Sequence, residues 1–306
     1  MIIIRIHGGL GNQMFEYALA YALKKRYPQQ KVKLDISDYH RFTAHTGYSL
    51  EKYFGIHEEI ATKDEIRMVY PGAIYDKTYM NMPNAIKKIS NMCEHLKTKT
   101  RKYQKFARGS VVTDYRYNVF NDVVFHIDEG RDVYFKGYWQ NISYFDQYRD
   151  ELRQLFTPIK EMPRNIIEEL QLENTVSVHV RRGDYIGSSL DLCREDYYRA
   201  AIGRIEEMVC MPQYVFFTDD ARFVEENFQW ISNKKIIANS PEDCDVDMKL
   251  MSMCKHHIIA NSSFSFWGAY LAEDDGIVIA PEKWMHVDVG YCGINMPQGW
   301  VIVKNG

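Results

Sequence analysis

Two adjacent arginines, Arg181 and Arg182, follow a stretch in which valine alternates with polar residues over positions 175–180. This alternation predicts a β-strand, and polar groups at the carboxyl end of a strand lie where open α/β sheets bind ligands. Guanidinium groups stay charged at neutral pH and present a planar fork of donors that matches phosphate. The two arginines therefore predict an anion site, with a surface ion-pair cluster formed by His179, Arg181 and Arg182 as the alternative.

Two other strands predicted in the same half of the chain also end in polar residues. The strand at 214–217 leads toward Asp219, and a later strand ends before Ser262 and Ser263, which open a helix at Phe264. Parallel strands bring such ends to one edge of a sheet. Hydroxyl and backbone N–H groups at a helix start form a phosphate seat, although a plain N-cap has the same residues.

The carboxyl-terminal half alternates strands with helices from about residue 165 to residue 281, which predicts a doubly wound parallel sheet. One of its helices is predicted at 247–255. With the amino-terminal half described next, we expect an α/β protein with two Rossmann-like halves and a cleft between them. The expected domains are residues 1–160 and 161–306.

The amino-terminal half begins with a predicted buried strand at 2–6, a glycine-rich loop, a helix at 14–26 and a strand at 31–35. A second helix is predicted at 144–156, and prolines bound a linker at 158–163. Between residues 38 and 138 the pattern is irregular.

The glycine-rich loop gives a first hypothesis, an NAD-dependent oxidoreductase, because strand, glycine loop, helix and strand follow the dinucleotide-binding order. The fingerprint is incomplete. Gly9 and Gly11 are present, but Met14 stands where a small residue would let the helix approach the strand closely.

Length and composition fit a soluble protein with about two cores, since the chain has 306 residues, of which 46% are hydrophobic. A net charge of −3 argues against nucleic-acid binding. Six cysteines without C-x-x-C spacing indicate a reducing compartment. Without a signal-like or membrane-length apolar run, we expect a cytoplasmic protein, either free or on the inner face of a membrane.

Residues 77–108 contain nine basic residues and one acid. A run of this kind is either a solvated helix face or a contact for anionic lipid headgroups. The second interpretation predicts peripheral membrane binding.

Five ordered motifs carry a family resemblance. The segments 179–184, 217–220 and 261–268 resemble the three motifs of α-1,2-fucosyltransferases, glycosyltransferase family eleven, and the segments 8–15 and 137–141 also resemble that family. The resemblance extends over residues 3–285. The chain departs from it at two positions: the family usually has glutamine at the position of Glu16 and tryptophan at that of Phe266.

The resemblance implies a GT-B-like fold with no cofactor and a GDP-β-L-fucose donor held mainly by the carboxyl-terminal half. It implies that Arg181 holds the diphosphate, that His179 and Asp184 shape the site, and that Asp247 receives guanine. The remaining donor contacts expected are Gly11, Asn12, Asp219, Ser262, Ser263 and Phe264.

The implied reaction is an inverting, metal-independent transfer of L-fucose to the 2-hydroxyl of a terminal β-galactoside, in glycan or O-antigen synthesis. The acceptor would be a glycan, free or lipid-linked, and Asp184 is the candidate base. Asp245 and Asp247 form a D-x-D pair, which raises a second alternative, a metal-dependent GT-A-type glycosyltransferase.

Overall fold

The protein is described from a computed structural model, which covers residues 1–40, 47–71, 103–114, 119–170, 174–273, 275–285 and 294–305. Contacts divide the chain into two compact units, one formed by Met1–Lys52 and Ile56–Tyr148, and the other by Tyr53–Gly55 and Arg149–Gly306. Residues 77–102 of the basic run lie outside the described residues.

The first unit is built on a five-stranded sheet in which every neighbouring pair is parallel except β3 and β4. The strand order is β2-β1-β5-β4-β3. The strands are β1 Ile2–Arg5, β2 Val32–Asp35, β3 Tyr103–Lys105, β4 Gly109–Thr113 and β5 Asp132–Lys136. The helices described in this part of the chain are α1 Leu10–Arg26, α2 Leu50–Phe54, whose end enters the second unit, and α3 Lys63–Val69.

Helix α1 begins at Leu10, earlier than the predicted start at residue 14, because the glycine loop turns the chain directly into it. Gly8 has φ +78°, and Gly9 is the N-cap. Inside the first turn, Gln13 is fully buried and donates from Nε2 to the carbonyl oxygens of Gly8 and Gly47 at 3.1 and 2.9 Å. The amide therefore takes over hydrogen bonds that the turn would otherwise leave unmade.

The second unit contains a six-stranded parallel sheet, which confirms the predicted doubly wound sheet. The strand order is β11-β10-β9-β6-β7-β8. The strands are β6 Thr175–Val180, β7 Gln213–Thr218, β8 Lys234–Ile237, β9 His256–Ile258, β10 Val278–Pro281 and β11 Val301–Val303. The helices described here are α4 Arg149–Leu155, α5 Arg164–Leu170, α6 Glu195–Glu206, α7 Ala221–Asn227, α8 Cys244–Met253 and α9 Ser263–Tyr270.

Strand β6 lies in the interior of this sheet, and all six of its residues are buried. Its three valines pack into one apolar cluster with residues of α6. On the alternating positions Ser177 is fully buried, and its Oγ lies 2.8 Å from Nδ1 of His257 on β9. The predicted alternation is therefore present, but its polar side faces a second buried layer and not water.

Two predicted helices need correction. The helix predicted at 144–156 is divided into short 3₁₀ turns and α4, which starts at Arg149. Arg149 and Arg153 donate to the carbonyl oxygens of residues 270–272, where α9 ends, so α4 packs with the second unit. The helix predicted from Asp247 starts earlier, at Cys244. In the part of the chain that is described, every helix is too short or too polar to cross a membrane.

Candidate functional site

Arg181 stands at the carboxyl end of β6 and is held by carboxylates from two loops. Its Nη1 lies 2.9 Å from Oδ2 of Asp219, which follows the neighbouring strand β7. Its Nε and Nη2 lie 3.1 and 2.6 Å from Oδ1 of Asp184. Arginine has five N–H donors, so these contacts use three and leave two without a partner among the described residues. The structure thus brings together three of the predicted site residues around one cation.

The loop after β6 is shaped so that Asp219 can reach it. The backbone N–H of Arg182 donates to Oδ1 of Asp219 at 2.8 Å. A Cβ at Gly183 would lie 2.7 Å from Oδ2 of the same carboxylate, so a side chain there would displace it. The guanidinium of Arg182 instead lies 4.0 Å from the ring centre of Phe223. The two adjacent arginines therefore have different surroundings, and it is Arg181 that the carboxylates hold.

His179 precedes Arg181 on the same side of β6 and is buried. Its ring lies 5.4 Å from the ring of Phe264 in α9. Burial, and then the charge of Arg181, lower the pKa of His179 to about 3. Its imidazole is therefore neutral at physiological pH. The ring contributes to the shape of the site and adds no charge.

The third predicted strand end forms the start of α9. Ser262 is the N-cap residue, but its side chain makes no capping bond to the helix and instead meets the hydroxyl of Tyr185. Asn261 fixes the preceding turn by donating from Nδ2 to the carbonyl oxygens of Leu190 and Trp284, both at 2.9 Å. Ser263 then opens the helix, whose first N–H groups and dipole favour an anion.

In the first unit, Gly11 and Asn12 lie in the first turn of α1. Oδ1 of Asn12 accepts a hydrogen bond of 3.0 Å from Nε2 of Gln140. Gln140 follows β5 in the segment 137–141, where Gly137 has φ +150° and Trp139 has φ +56°. The backbone N–H of Trp139 donates to Oδ2 of Asp114 at 2.9 Å, which holds this unusual backbone in place.

The sequence as a whole can now be compared with known proteins. A family model described as glycosyl transferase family 11 matches residues 1–303. The chain belongs to glycosyl transferase family 11. The family resemblance carried by the five motifs is confirmed, and the protein is a glycosyltransferase.

Individual similar proteins agree with this assignment. An α-1,2-colitosyltransferase of Escherichia coli is 32% identical over 317 positions, which cover 99% of this chain and 99% of that protein. A human galactoside α-(1,2)-fucosyltransferase 1 is 26% identical over 169 positions, or 49% of this chain and 46% of the human protein. A crystal structure of the NodZ α-1,6-fucosyltransferase soaked with GDP-fucose has a TM-score of 0.50 at 14% identity, covering 89% and 92% of the two chains. The predicted GT-B-like fold is confirmed.

Membership of family 11 replaces the oxidoreductase hypothesis. In this glycosyltransferase the glycine loop lets the first turn of α1 pack against the loop backbone. A Cβ at Gly8 would lie 2.8 Å from Nδ2 of Asn12. The glycine is therefore required for close approach of an amide. The structure shows Met14 fully buried where the dinucleotide fingerprint has its third small residue.

The GT-A alternative rested on Asp245 and Asp247, and the GT-B-like fold of this family 11 member replaces it too. Both acids lie in the first turn of α8, because this helix starts at Cys244 and not at the predicted residue 247. Residues two apart on a helix do not face each other: Asp245 is buried, whereas Asp247 is half-buried and accepts a bond of 2.6 Å from Nδ2 of Asn239. The described residues contain no group of three His, Cys, Asp or Glu side chains placed to hold a metal ion.

Asp247 lies in the first turn of α8, the helix that precedes α9. Burial, and then the charges of Asp243 and Asp245, raise its pKa to about 6, and the bond from Asn239 opposes them. In the described structure no hydrogen bond or ion pair connects Asp247 with the Arg181 group.

Sequence reasoning missed a buried pair in this glycosyltransferase. His7 follows β1, and Glu16 lies in α1 with its side chain fully buried. Glu16 was noted only as a departure from the family pattern, and nothing in the sequence indicated that it meets His7. The signal available was a charged residue in the middle of an otherwise apolar helix.

Proposed function

We propose that the protein transfers L-fucose from GDP-β-L-fucose to the 2-hydroxyl of a terminal β-galactoside, forming an α-1,2 linkage with inversion. Family membership supports glycosyl transfer, and the names of the two relatives support the linkage. One observation carries the proposal: Asp184 and Asp219 fix Arg181 at the end of β6, and two N–H donors of its guanidinium remain for a ligand.

The donor's diphosphate would meet Arg181 and the start of α9. Breaking the bond between sugar and diphosphate builds negative charge on the leaving oxygen, and fixed donors stabilise that charge as it develops. Because Asp184 and Asp219 hold the guanidinium in advance, little reorganisation is needed when the charge appears. The N–H groups after Ser262 and the hydroxyl of Ser263 would add donors to the same anion.

The other predicted contacts extend the donor site. Asp247 would accept the N1–H and N2–H groups of guanine with its two oxygens, for which it must be ionised. Neutral His179 and the Phe264 ring beside it would form the apolar wall, and Asn12 with Gly11 would contribute an amide near the phosphate and fucose. In this proposal the second unit holds most of the donor, and the first unit, apart from Gly11 and Asn12, serves the acceptor. Cationic and N–H donors act without a metal ion.

The colitosyltransferase relative supports a second donor. Colitose is L-fucose without its 3-hydroxyl, so the same diphosphate and guanine contacts would serve both donors. The difference would rest on one hydroxyl, and a site built to bond that hydroxyl would reject the deoxy sugar strongly. Fucose is proposed here because the five motifs resemble those of fucosyltransferases.

The decisive experiment incubates the purified protein with GDP-fucose or GDP-colitose and a panel of β-galactosides, and determines the product linkage by NMR. We expect an α-1,2-fucoside, formed equally well with excess EDTA. Transfer from GDP-colitose alone would replace the donor, and a requirement for Mn²⁺ would refute the metal-free mechanism. Absence of transfer from both donors to every galactoside would refute the proposed reaction.

A further inference from the structure

The loop after β8 carries an amide that none of the proposed donor contacts includes. Asn239 lies two residues beyond the end of β8, and its Nδ2 donates a hydrogen bond of 2.6 Å to Oδ1 of Asp247 in the first turn of α8. A bond of this length indicates a charged acceptor. The carboxyl group is ionised at neutral pH, because its pKa, raised by burial, reaches only about 6. The amide therefore faces the carboxylate with its NH₂ group and not with its oxygen.

Packing and a short turn hold these two side chains together. Val246, in the first turn of α8, belongs to the same apolar cluster as Ile237, the last residue of β8. Between them, Oγ of Ser240 accepts the backbone N–H of Glu242 at 3.1 Å and shapes the turn that leads into α8. All of these residues belong to the second unit, so the pair is part of one compact body.

Each side chain of the pair keeps atoms that a ligand can use. An asparagine amide has two N–H groups, and the second one of Asn239 has no partner among the described residues. Oδ2 of Asp247 accepts no hydrogen bond there, and Oδ1 can accept another one because a carboxylate oxygen has two lone-pair sites. Asn239 is exposed and Asp247 is half-buried, so these atoms are accessible. The pair therefore presents one donor beside two acceptors.

The pair lies at the same edge of the second sheet as Arg181. Strands β6, β7 and β8 are parallel neighbours, so their carboxyl ends share one edge. Two strand spacings, about 10 Å, separate the strand that leads to Arg181 from the strand that leads to Asn239. An extended nucleoside diphosphate covers a comparable span between its phosphates and the edge of its base.

The base-pairing edge of guanine has the complementary order, because the acceptor O6 is followed by the donor groups N1–H and N2–H. We propose that Asn239 is a specificity-determining residue for the donor's base: its second N–H binds O6, while Asp247 accepts N1–H and N2–H. This inference rests on the proposed function, in which the donor carries GDP. Adenine has a donor at position 6 and an acceptor at N1, so it would place a donor against the amide N–H and a lone pair against the carboxylate.

The test measures, by calorimetry, how wild type and Asn239→Ala bind nucleotides that differ from GDP at one position. In 6-thio-GDP, sulfur, a weak acceptor, replaces O6 and both donor groups remain, whereas IDP lacks only the N2 amino group. We expect wild type to prefer GDP over 6-thio-GDP by about two- to tenfold, the value of one hydrogen bond, and to prefer GDP over IDP as well. In Asn239→Ala, GDP binding should weaken by a similar factor and the preference over 6-thio-GDP should disappear. The preference over IDP should remain, because Asp247 is intact.

Asn233→Ala is the matched control. Asn233 is also exposed, precedes β8 and donates to a protein acceptor, the carbonyl oxygen of Pro212. This variant should keep the affinities and preferences of wild type. The free energy of unfolding, measured in urea, separates recognition from structure, because a bond that only braces the loop would change this quantity and leave the nucleotide preferences as they are.

The inference is overturned if wild type binds GDP and 6-thio-GDP equally, or if Asn239→Ala prefers GDP over 6-thio-GDP as strongly as wild type does. It is also overturned if the variant loses the preference over IDP too, since Asn239 would then act only through Asp247. A wild type that binds no GDP would refute the proposed donor, and this outcome is distinct because it is seen before any variant is made. Binding is measured without an acceptor, so a failure of sugar transfer is also seen separately.

Discussion

Replacing Arg181 by lysine is the sharpest test of the donor site, because the substitution keeps the charge and removes the geometry. The guanidinium reaches Asp184 and Asp219 with three N–H groups and keeps two for a ligand. A lysine ammonium has three donors on one atom. It cannot span two carboxylates on separate loops and also present a pair of parallel donors to a diphosphate.

The size of the effect follows from these contacts. Loss of one preorganised donor to a developing charge raises the barrier by about 2.7–4 kcal/mol, which corresponds to a decrease in kcat of about 10²–10³-fold. The free energy of unfolding should change by less than about 1 kcal/mol, because ion pairs that are partly exposed contribute little. One third of the Arg181 side chain is exposed, so this discount applies.

The assay measures kcat with saturating acceptor, the GDP dissociation constant by calorimetry, and the free energy of unfolding in urea. Arg204→Lys is the control, since Arg204 makes a comparable ion pair with Glu207 on an exposed helix end. A folded Arg181→Lys protein whose kcat stays within about threefold of wild type, far short of the 10²-fold cost of one lost donor, would remove Arg181 from the diphosphate site.

Two other predictions rest on the structure, and a third rests on the sequence alone. Asp247 must be ionised to accept guanine, and its pKa is raised to about 6; GDP affinity should therefore fall as the pH drops below 6, and more steeply in wild type than in Asp247→Asn, by calorimetry. If GDP affinity changes with pH equally steeply in both proteins, the change comes only from the terminal phosphate of GDP, and the guanine contact is refuted. Gly137→Ala should lower the free energy of unfolding by more than Gly187→Ala does, because its new Cβ would lie 2.2 Å from Cβ of Asp114. Gly187 also has a positive φ, but a Cβ there would meet open space. Equal losses of unfolding free energy, measured in urea, would contradict this prediction. The protein should sediment with anionic liposomes at low salt and release at high salt, and replacing the four basic residues at 97–102 by serine should abolish this; unchanged sedimentation would show that the run is a solvated surface.

The second unit was predictable because its sheet is built from local units. Each strand of a doubly wound sheet is followed by its own helix, so the chain order of the elements carries the topology. The predicted grouping of Arg181, Asp184 and Asp219 is found in the structure because β6 and β7 are adjacent and parallel. The short strand β11 was missed, since three exposed or half-buried residues near the end of the chain give almost no periodic signal.

The first unit was harder to predict because its sheet is completed by distant pairing. Strand β5 pairs with β1 although more than a hundred residues separate them, and β4 then extends the sheet from β5. Both strands are only five residues long. The contact between Glu16 and His7 was hidden for a related reason: it depends on the positive φ at Gly8, which reverses the chain between them.

Asp184, the candidate base, also holds Arg181, and a proton on its carboxyl group would affect both tasks. Asp184 uses only Oδ1 to hold Arg181, and Oδ2 has no hydrogen bond in the described structure, so its geometry alone permits a base. A proton on this carboxyl would, however, cancel the charge that fixes Arg181 at the moment when the diphosphate becomes more negative. The charge that stabilises the leaving group and the proton that the acceptor gives up are therefore better held by different residues.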